Sequence, residues 1–182
     1  MIASDRSVWT VRPNGQRIAH SMVDTPVLWA SWEIQGTESA PFSWPTWSSD
    51  GKQIACFRLP HKHHPHAAVF VMNADGVQAM QVGDLDDRLP IYLYWAPGDK
   101  SLAVLTQRGD TLQLSVLDTV DPGREVSLAK GSPLFFTWAD PKHIASFVGG
   151  ADAGPELRVL HTGGKGPDEV LAGRPGNFCA PL

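Results

Sequence analysis

The chain has 182 residues, 42% of them hydrophobic, so it is long enough to bury one sizeable core and too apolar for a disordered chain. A net charge of −4 and an isoelectric point near 5.9 exclude the basic stripe that neutralises nucleic-acid phosphates. The 17 glycines and 15 prolines fall between short apolar runs, which is typical of an all-β protein.

The N-terminal segment predicts strands, and we expect no signal peptide in it. The start MIASDRSVW lacks the apolar core of a signal peptide, and no stretch of the chain reaches the apolar length that crosses a bilayer. We therefore expect no membrane insertion, and the compartment stays open. VWTVRPNG at 8–15 aligns without gaps to VFVMNADG at 69–76, so residues 1–20 are interpreted as the second half of a repeat unit.

Residues 21–41 fit no repeat unit and are interpreted as an insertion. The segment contains Trp29 and Trp32, and tryptophans on an exposed loop are typical of interaction hot spots. The alternative is that VLWASWEI supplies a strand or covers the open end of the stacked sheets.

Three tryptophans, Trp47, Trp95 and Trp138, open related stretches that lie 48 and 43 residues apart. The stretches are WSSDGKQIACF, WAPGDKSLAVL and WADPKHIASF. Each combines a tryptophan, a turn and an apolar run, which predicts a hairpin. In the first copy Asp50 and Gly51 form the turn. An aromatic residue also recurs three positions before each tryptophan, as the series Trp44, Tyr92 and Phe135.

Two further strand candidates follow each hairpin. The first are AAVFVMNADG, TLQLSVLD and ELRVLHTGG, and the second are VQAMQV, REVSLA and DEVLA. Four strands in a unit of roughly 40 to 45 residues predict the blade of a β-propeller. We predict a single partial β-propeller domain over 1–182, with complete four-stranded antiparallel blades at 42–83, 90–130 and 133–172. FCAPL at 178–182 resembles FSWPT at 42–46, so 173–182 is interpreted as the start of a further blade.

PTWSSDGKQIACF followed by VFVMNADG resembles the repeat of TolB-type propellers, which are related to WD repeats. The resemblance covers most of the chain and is strongest over 45–76. The second copy inverts the turn to Gly98-Asp99, and the third loses one residue. The resemblance implies that the repeat tryptophans are core residues between blades, that Asp50-Gly51 makes a tight turn, and that the family acts in the cell envelope through protein contacts. Burying one tryptophan is worth about 4–6 kcal/mol as an upper estimate.

The segment HKHHPH contains His61, His63, His64 and His66, and imidazole is a common ligand of zinc, copper and nickel. These four histidines predict a candidate transition-metal site. The alternative is a solvated hairpin loop without a specific role, because no carboxylate or cysteine stands at ligand spacing.

Other polar segments favour turns over chemistry. GDLDDR at 83–88 lacks the central glycine and final glutamate of a calcium loop, and TGGKG at 162–166 lacks the P-loop pattern. No G-x-S-x-G nucleophile motif occurs. Cys56 and Cys179 stand far apart, which argues against a disulfide framework.

The sequence therefore favours a non-catalytic binding or scaffold module that contacts a protein partner through loops and the propeller channel. Open blade edges also predict self-association. Two alternatives stay open. One is the propeller domain of a prolyl-oligopeptidase-type serine peptidase, without its catalytic domain. The other is a metal-dependent propeller enzyme that uses the His61–His66 cluster.

Overall fold

The computed structural model describes residues 9–11, 17–19, 42–74, 78–150, 154–164 and 168–173. Within these ranges all the regular structure is β-structure, and no helix that could cross a membrane occurs there. The strands are β1 (Trp9–Val11), β2 (Arg17–Ala19), β3 (Phe42–Trp47), β4 (Gln53–Arg58), β5 (Ala68–Asn73), β6 (Met80–Asp84), β7 (Leu89–Trp95), β8 (Ser101–Arg108), β9 (Thr111–Asp118), β10 (Glu125–Gly131), β11 (Leu134–Asp140), β12 (His143–Val148), β13 (Glu156–His161) and β14 (Glu169–Gly173).

Twelve of these strands form three four-stranded antiparallel sheets. The sheets are β3–β6, β7–β10 and β11–β14, each with its strands in chain order, and β1 pairs with β2 in a separate two-stranded sheet. This architecture confirms the predicted all-β propeller of four-stranded blades. The insertion at 21–41 with Trp29 and Trp32, Cys179, and the start of a further blade beyond Gly173 lie outside the described residues. The exact division of the chain into units stays a prediction.

The first hairpin of each blade follows the local chemistry of its turn. In the first blade the Ser48 hydroxyl accepts the Gln53 N–H at 2.9 Å, and an Asp50 carboxylate oxygen accepts the Lys52 N–H at 3.0 Å. Gly51 has a φ of +68°, a left-handed conformation that glycine adopts without steric cost. The Asp50-Gly51 pair thus closes the β3–β4 hairpin.

The inverted turn of the second blade forms a contact between blades. Asp99, whose φ is +57°, accepts the backbone N–H groups of Ser49 and Asp50 at 2.7 and 3.1 Å. It also accepts the Ser49 hydroxyl at 2.6 Å. The departure of this copy from the Asp-Gly order therefore supplies an acceptor for the turn of the preceding blade.

The hydrophobic core lies between the blades. One buried cluster joins the first and second blades, another joins the second and third, and a further cluster covers the other face of the first blade. The same cross-strand pair recurs in each sheet, as Ala55–Val71, Ala103–Val116 and Ala145–Val159. The repeat in sequence is thus a repeat of the residues that pack one blade against the next.

The repeat tryptophans connect consecutive blades through their indole N–H groups. Trp95 is buried and donates to the Thr46 carbonyl at 3.1 Å, and the half-buried Trp138 donates to the Tyr94 carbonyl at 3.3 Å. Trp47 is 47% exposed, so the expectation of a core residue is wrong for this copy. The reason is that each tryptophan packs against the blade before its own, and Trp47 belongs to the first of the three described blades.

Candidate functional site

The segment 61–66, which we call the histidine loop, does not bring its four histidine side chains together as the predicted metal site. His61 and His64 exchange two backbone hydrogen bonds of 2.9 and 3.0 Å, and their rings lie 5.0 Å apart. The His63 ring lies 6.2 Å from that of His61. His66 points elsewhere, since its Nδ1 lies 2.7 Å from the Asp86 carbonyl oxygen. The loop forms a closed local turn in which the fourth histidine contacts a different segment.

The electrostatic surroundings of this loop oppose a cation. Burial lowers the pKa of His64, and the positive charge of Arg58 lowers it further. The Arg58 side chain is buried and donates to the His66 carbonyl at 3.2 Å. Across the described ranges, no group of three or more histidine, cysteine, aspartate or glutamate side chains is arranged to hold a metal ion.

The acidic residues that follow β6 form a hydrogen bond within their own turn and an ion pair at the surface. Asp84 accepts the Asp86 N–H at 2.9 Å, and Asp87 pairs with Arg108 at the surface. The Asp84 carboxylate therefore closes the turn between the first two blades, in agreement with the interpretation of this run as a turn.

Four aromatic side chains, Trp44, Tyr92, Tyr94 and Phe136, form a contiguous group that we call the aromatic row. They lie on β3, β7 and β11, the first strands of the three blades, each at the edge of its sheet. Ring centroids are 5.9 Å apart for Trp44 and Tyr92, and 5.3 Å for the stacked pair Tyr92 and Phe136. Tyr94 lies 5.6 Å from Tyr92 and 6.2 Å from Phe136. The row thus crosses all three blades.

Trp44 is held in a strained and exposed position at one end of the row. Its φ is +52°, where a bulky residue is a steric outlier, and it sits at an irregularity in the β3–β4 pairing. Such a conformation costs on the order of 1–3 kcal/mol and is found mainly at functional sites. The side chain is nevertheless 43% exposed, and Tyr94 is 46% exposed. The fold therefore maintains a costly backbone conformation that presents an aromatic ring to solvent.

Tyr92 gives the centre of the row a neutral hydroxyl group. Burial raises the pKa of Tyr92, and the neighbouring Tyr94 raises it further. The hydroxyl therefore stays protonated at neutral pH and can donate a hydrogen bond beside the rings.

The sequence identified part of this row. Trp44, Tyr92 and Phe135 form the recurring aromatic position of the sequence, to which no binding role was assigned. The first two belong to the row, whereas Phe135 lies near Phe147, at 6.2 Å between ring centroids. Phe136, the next residue, occupies this place in the aromatic row. Tyr94 was missed, although its spacing of two from Tyr92 puts both side chains on the same side of a strand.

A cavity of about 740 Å³ lies beside the first blade. Its volume is within the range of small-molecule sites. Its described lining is largely carboxamide and apolar, with one guanidinium and one imidazole, from Gln53, Arg58, His64, Phe70, Val71, Asn73, Gln78, Ala79, Met80 and Gln81. The amide, guanidinium and imidazole groups of this described lining can form hydrogen bonds with a bound ligand.

Comparisons with known proteins identify the fold. No family model matches the sequence, and no curated protein matches it. Among solved structures, the β-propeller domain of the Trilobed protease from Pyrococcus furiosus is similar, with a TM-score of 0.57 and 15% identity over 72% of this chain and 43% of that one. An acylaminoacyl peptidase from Pyrococcus horikoshii matches with a TM-score of 0.53 and 18% identity, over 72% of this chain and 25% of that one.

TolB from Acinetobacter baumannii is also similar, with a TM-score of 0.52 and 14% identity over 72% of this chain and 32% of that one. These similarities support the β-propeller fold that the repeat motif implied. The chain spans less than half the length of each of the three. At these identities the likeness establishes the fold alone.

Proposed function

We propose that the chain is a non-catalytic β-propeller binding module, and that its aromatic row contacts a protein partner. The observation that carries the proposal is the strained, exposed Trp44 against Tyr92. Tryptophan and tyrosine are enriched at the centres of protein interfaces, where they bury a large area at low cost in side-chain entropy. The resemblance of the repeat to that of TolB-type propellers, which implies action through protein contacts, also supports a binding role.

Site-specific photo-cross-linking tests this function in the cells that produce the protein. A benzophenone amino acid at position 94 should give a discrete cross-linked product, because Tyr94 is exposed within the row. Adding Trp44→Ala should reduce the yield of that product several-fold. The control places the same cross-linker at Val120, which is 74% exposed and outside the row. Equal products from positions 94 and 120, or a yield insensitive to Trp44→Ala, would contradict the proposal.

A second candidate function is the propeller domain of a serine peptidase. It is favoured by the similarity to the propeller of a protease and to an acylaminoacyl peptidase. The catalytic serine would then belong to another part of the same polypeptide. An antibody against this chain should detect a native product larger than 19.8 kDa that reacts with a fluorophosphonate probe. A native product that does not react with the probe would exclude this function.

A further inference from the structure

A pair of histidines on the third blade lies apart from the histidine loop and from the aromatic row. His143 begins β12 and His161 ends β13, and the strand register places them directly opposite each other. Their ring centroids are 4.5 Å apart, with an interplanar angle of 69°. Eighteen positions apart in the sequence, the two residues carry no local motif, and only the pairing of the strands brings them together.

Asp140 orients one of these imidazoles. It ends β11, and its Oδ2 lies 2.8 Å from His143 Nδ1. When Nδ1 carries the proton and donates it to this carboxylate, Nε2 of His143 keeps its lone pair for a ligand. A carboxylate behind a ligating histidine is the usual arrangement at metal sites, where it fixes the tautomer and increases the basicity of the ligand.

The charges around this histidine pair differ from those around the histidine loop. The Asp140 carboxylate lies against His143 and also accepts the Lys142 N–H at 2.7 Å, so it places a negative charge beside this pair. The other close histidine pair, His61 and His64, lies beside the positive charge of Arg58. A cation is attracted to the first pair and repelled from the second, although the ring spacing is similar.

Water can reach the pair on the third blade. The His143 side chain is 33% exposed and that of Asp140 is 50% exposed. A metal ion bound there can complete its coordination with water molecules. With two protein nitrogens, such a site is weaker than a structural site with four protein ligands.

From these observations we infer that His143 and His161 bind one divalent transition-metal ion, with Asp140 as the residue that positions His143. Imidazole nitrogens select zinc, copper or nickel over magnesium and calcium, which prefer oxygen ligands. The site would connect two strands of the third blade and is independent of the proposed partner surface.

Calorimetric titration of the untagged chain with Ni²⁺ and with Zn²⁺ tests the inference. One saturable site per chain is expected, with no detectable binding of Mg²⁺. His161→Ala should weaken binding at least tenfold, and Asp140→Asn about 10- to 100-fold, as for other carboxylates behind metal ligands. The matched control, with His61→Ala and His64→Ala together, should bind as the parent does.

The inference would be overturned if the control variant lost binding while His161→Ala kept it, or if Mg²⁺ bound equally well. A spectroscopic measurement keeps the test decisive should His161→Ala fail to fold. Cu²⁺ bound to the His61→Ala, His64→Ala variant should show electron paramagnetic resonance coupling to two nitrogens. Coupling to one nitrogen or none would also refute the site.

Discussion

Trp95 shows how one side chain can connect two sheets. Its ring is 8% exposed in the core between the first two blades, and its N–H reaches a backbone carbonyl of the preceding blade. Trp138 repeats the same bond one blade later. A backbone carbonyl without a partner in such a core would be costly, so the indole fills space and satisfies an acceptor at once.

Trp95→Phe should therefore lower the free energy of unfolding by about 1 kcal/mol or more, through loss of the hydrogen bond to Thr46 and of ring volume. Urea denaturation followed by circular dichroism measures this difference. The matched variant Trp47→Phe alters an exposed ring and should cost less than about 0.5 kcal/mol. Similar losses in both variants would show that the indole link contributes nothing of its own.

At the scale of elements, the link between the first two blades is held by a buried arginine. Arg88 precedes β7 and is 7% exposed, and its Nη2 donates to Glu125 on β10 at 2.9 Å. The same side chain donates to the Leu85 and Asp84 carbonyls at 3.1 Å each. The guanidinium thus ties the entry of the second blade to its outermost strand.

The contribution of this ion pair should depend on pH. Burial, the largest single influence, tends to raise the pKa of Glu125. The hydrogen bonds from Arg88 and Ser115, together with the positive charge of Arg88, outweigh burial, so the pKa lies below its usual value. A carboxyl whose folded pKa is depressed stabilises the fold above the unfolded pKa, about 4.3, and loses that contribution as the pH falls through the folded value.

We expect Glu125→Gln to lower the free energy of unfolding by about 1–3 kcal/mol at pH 7, because the buried Arg88 loses its charged partner. The difference from the parent should narrow as the pH falls below about 4. Urea denaturation at several pH values measures it. Asp87→Asn serves as the control, since the Asp87–Arg108 pair is more than 60% exposed on both sides and should matter little. A difference independent of pH would exclude the ionic contribution.

The elements also show what the sequence could predict. The tryptophan, the turn and the apolar run were sufficient for the hairpins and the four-stranded blades, because both depend on neighbours close in the chain. The sequence could not predict that Trp47 is exposed, because the burial of a repeat tryptophan depends on contact with the preceding blade. The pairing of His143 with His161 depends on strand register, and the choice of Phe136 over Phe135 depends on packing between blades. Contacts between distant residues decide these features.

At the scale of the whole molecule, the face of the third blade that points away from the second blade is its outward face. It is equivalent to the face of the second blade that the third blade covers. Ala145 and Val159 occupy the positions that Ala103 and Val116 occupy in the second blade. The second-blade pair is buried under the third blade, whereas Ala145 and Val159 are half-buried. Phe135, on the same outward side, is 48% exposed. Apolar surface of this kind favours association.

We therefore expect the chain to self-associate, with a mass in light scattering that rises above 19.8 kDa as concentration increases. Phe135→Ser should shift the population toward the monomer by making this face less apolar. Val120→Ser, at a surface position that is 74% exposed, should leave the mass unchanged. A monomer at all concentrations would show that this face does not mediate self-association.

The indole hydrogen bonds of Trp95 and Trp138 run in the same direction. Each indole donates to a carbonyl of the preceding blade, and that carbonyl belongs to the residue just before the repeat tryptophan of that blade. The second blade therefore carries both halves of the link, a donor in Trp95 and an acceptor in the Tyr94 carbonyl. An in-frame gene duplication of such a unit would add a copy that bonds to its parent on one side and offers the same acceptor on the other. Growth by whole blades then requires no newly evolved contact, which gives a physical reason for a genome to lengthen or shorten this architecture one repeat at a time.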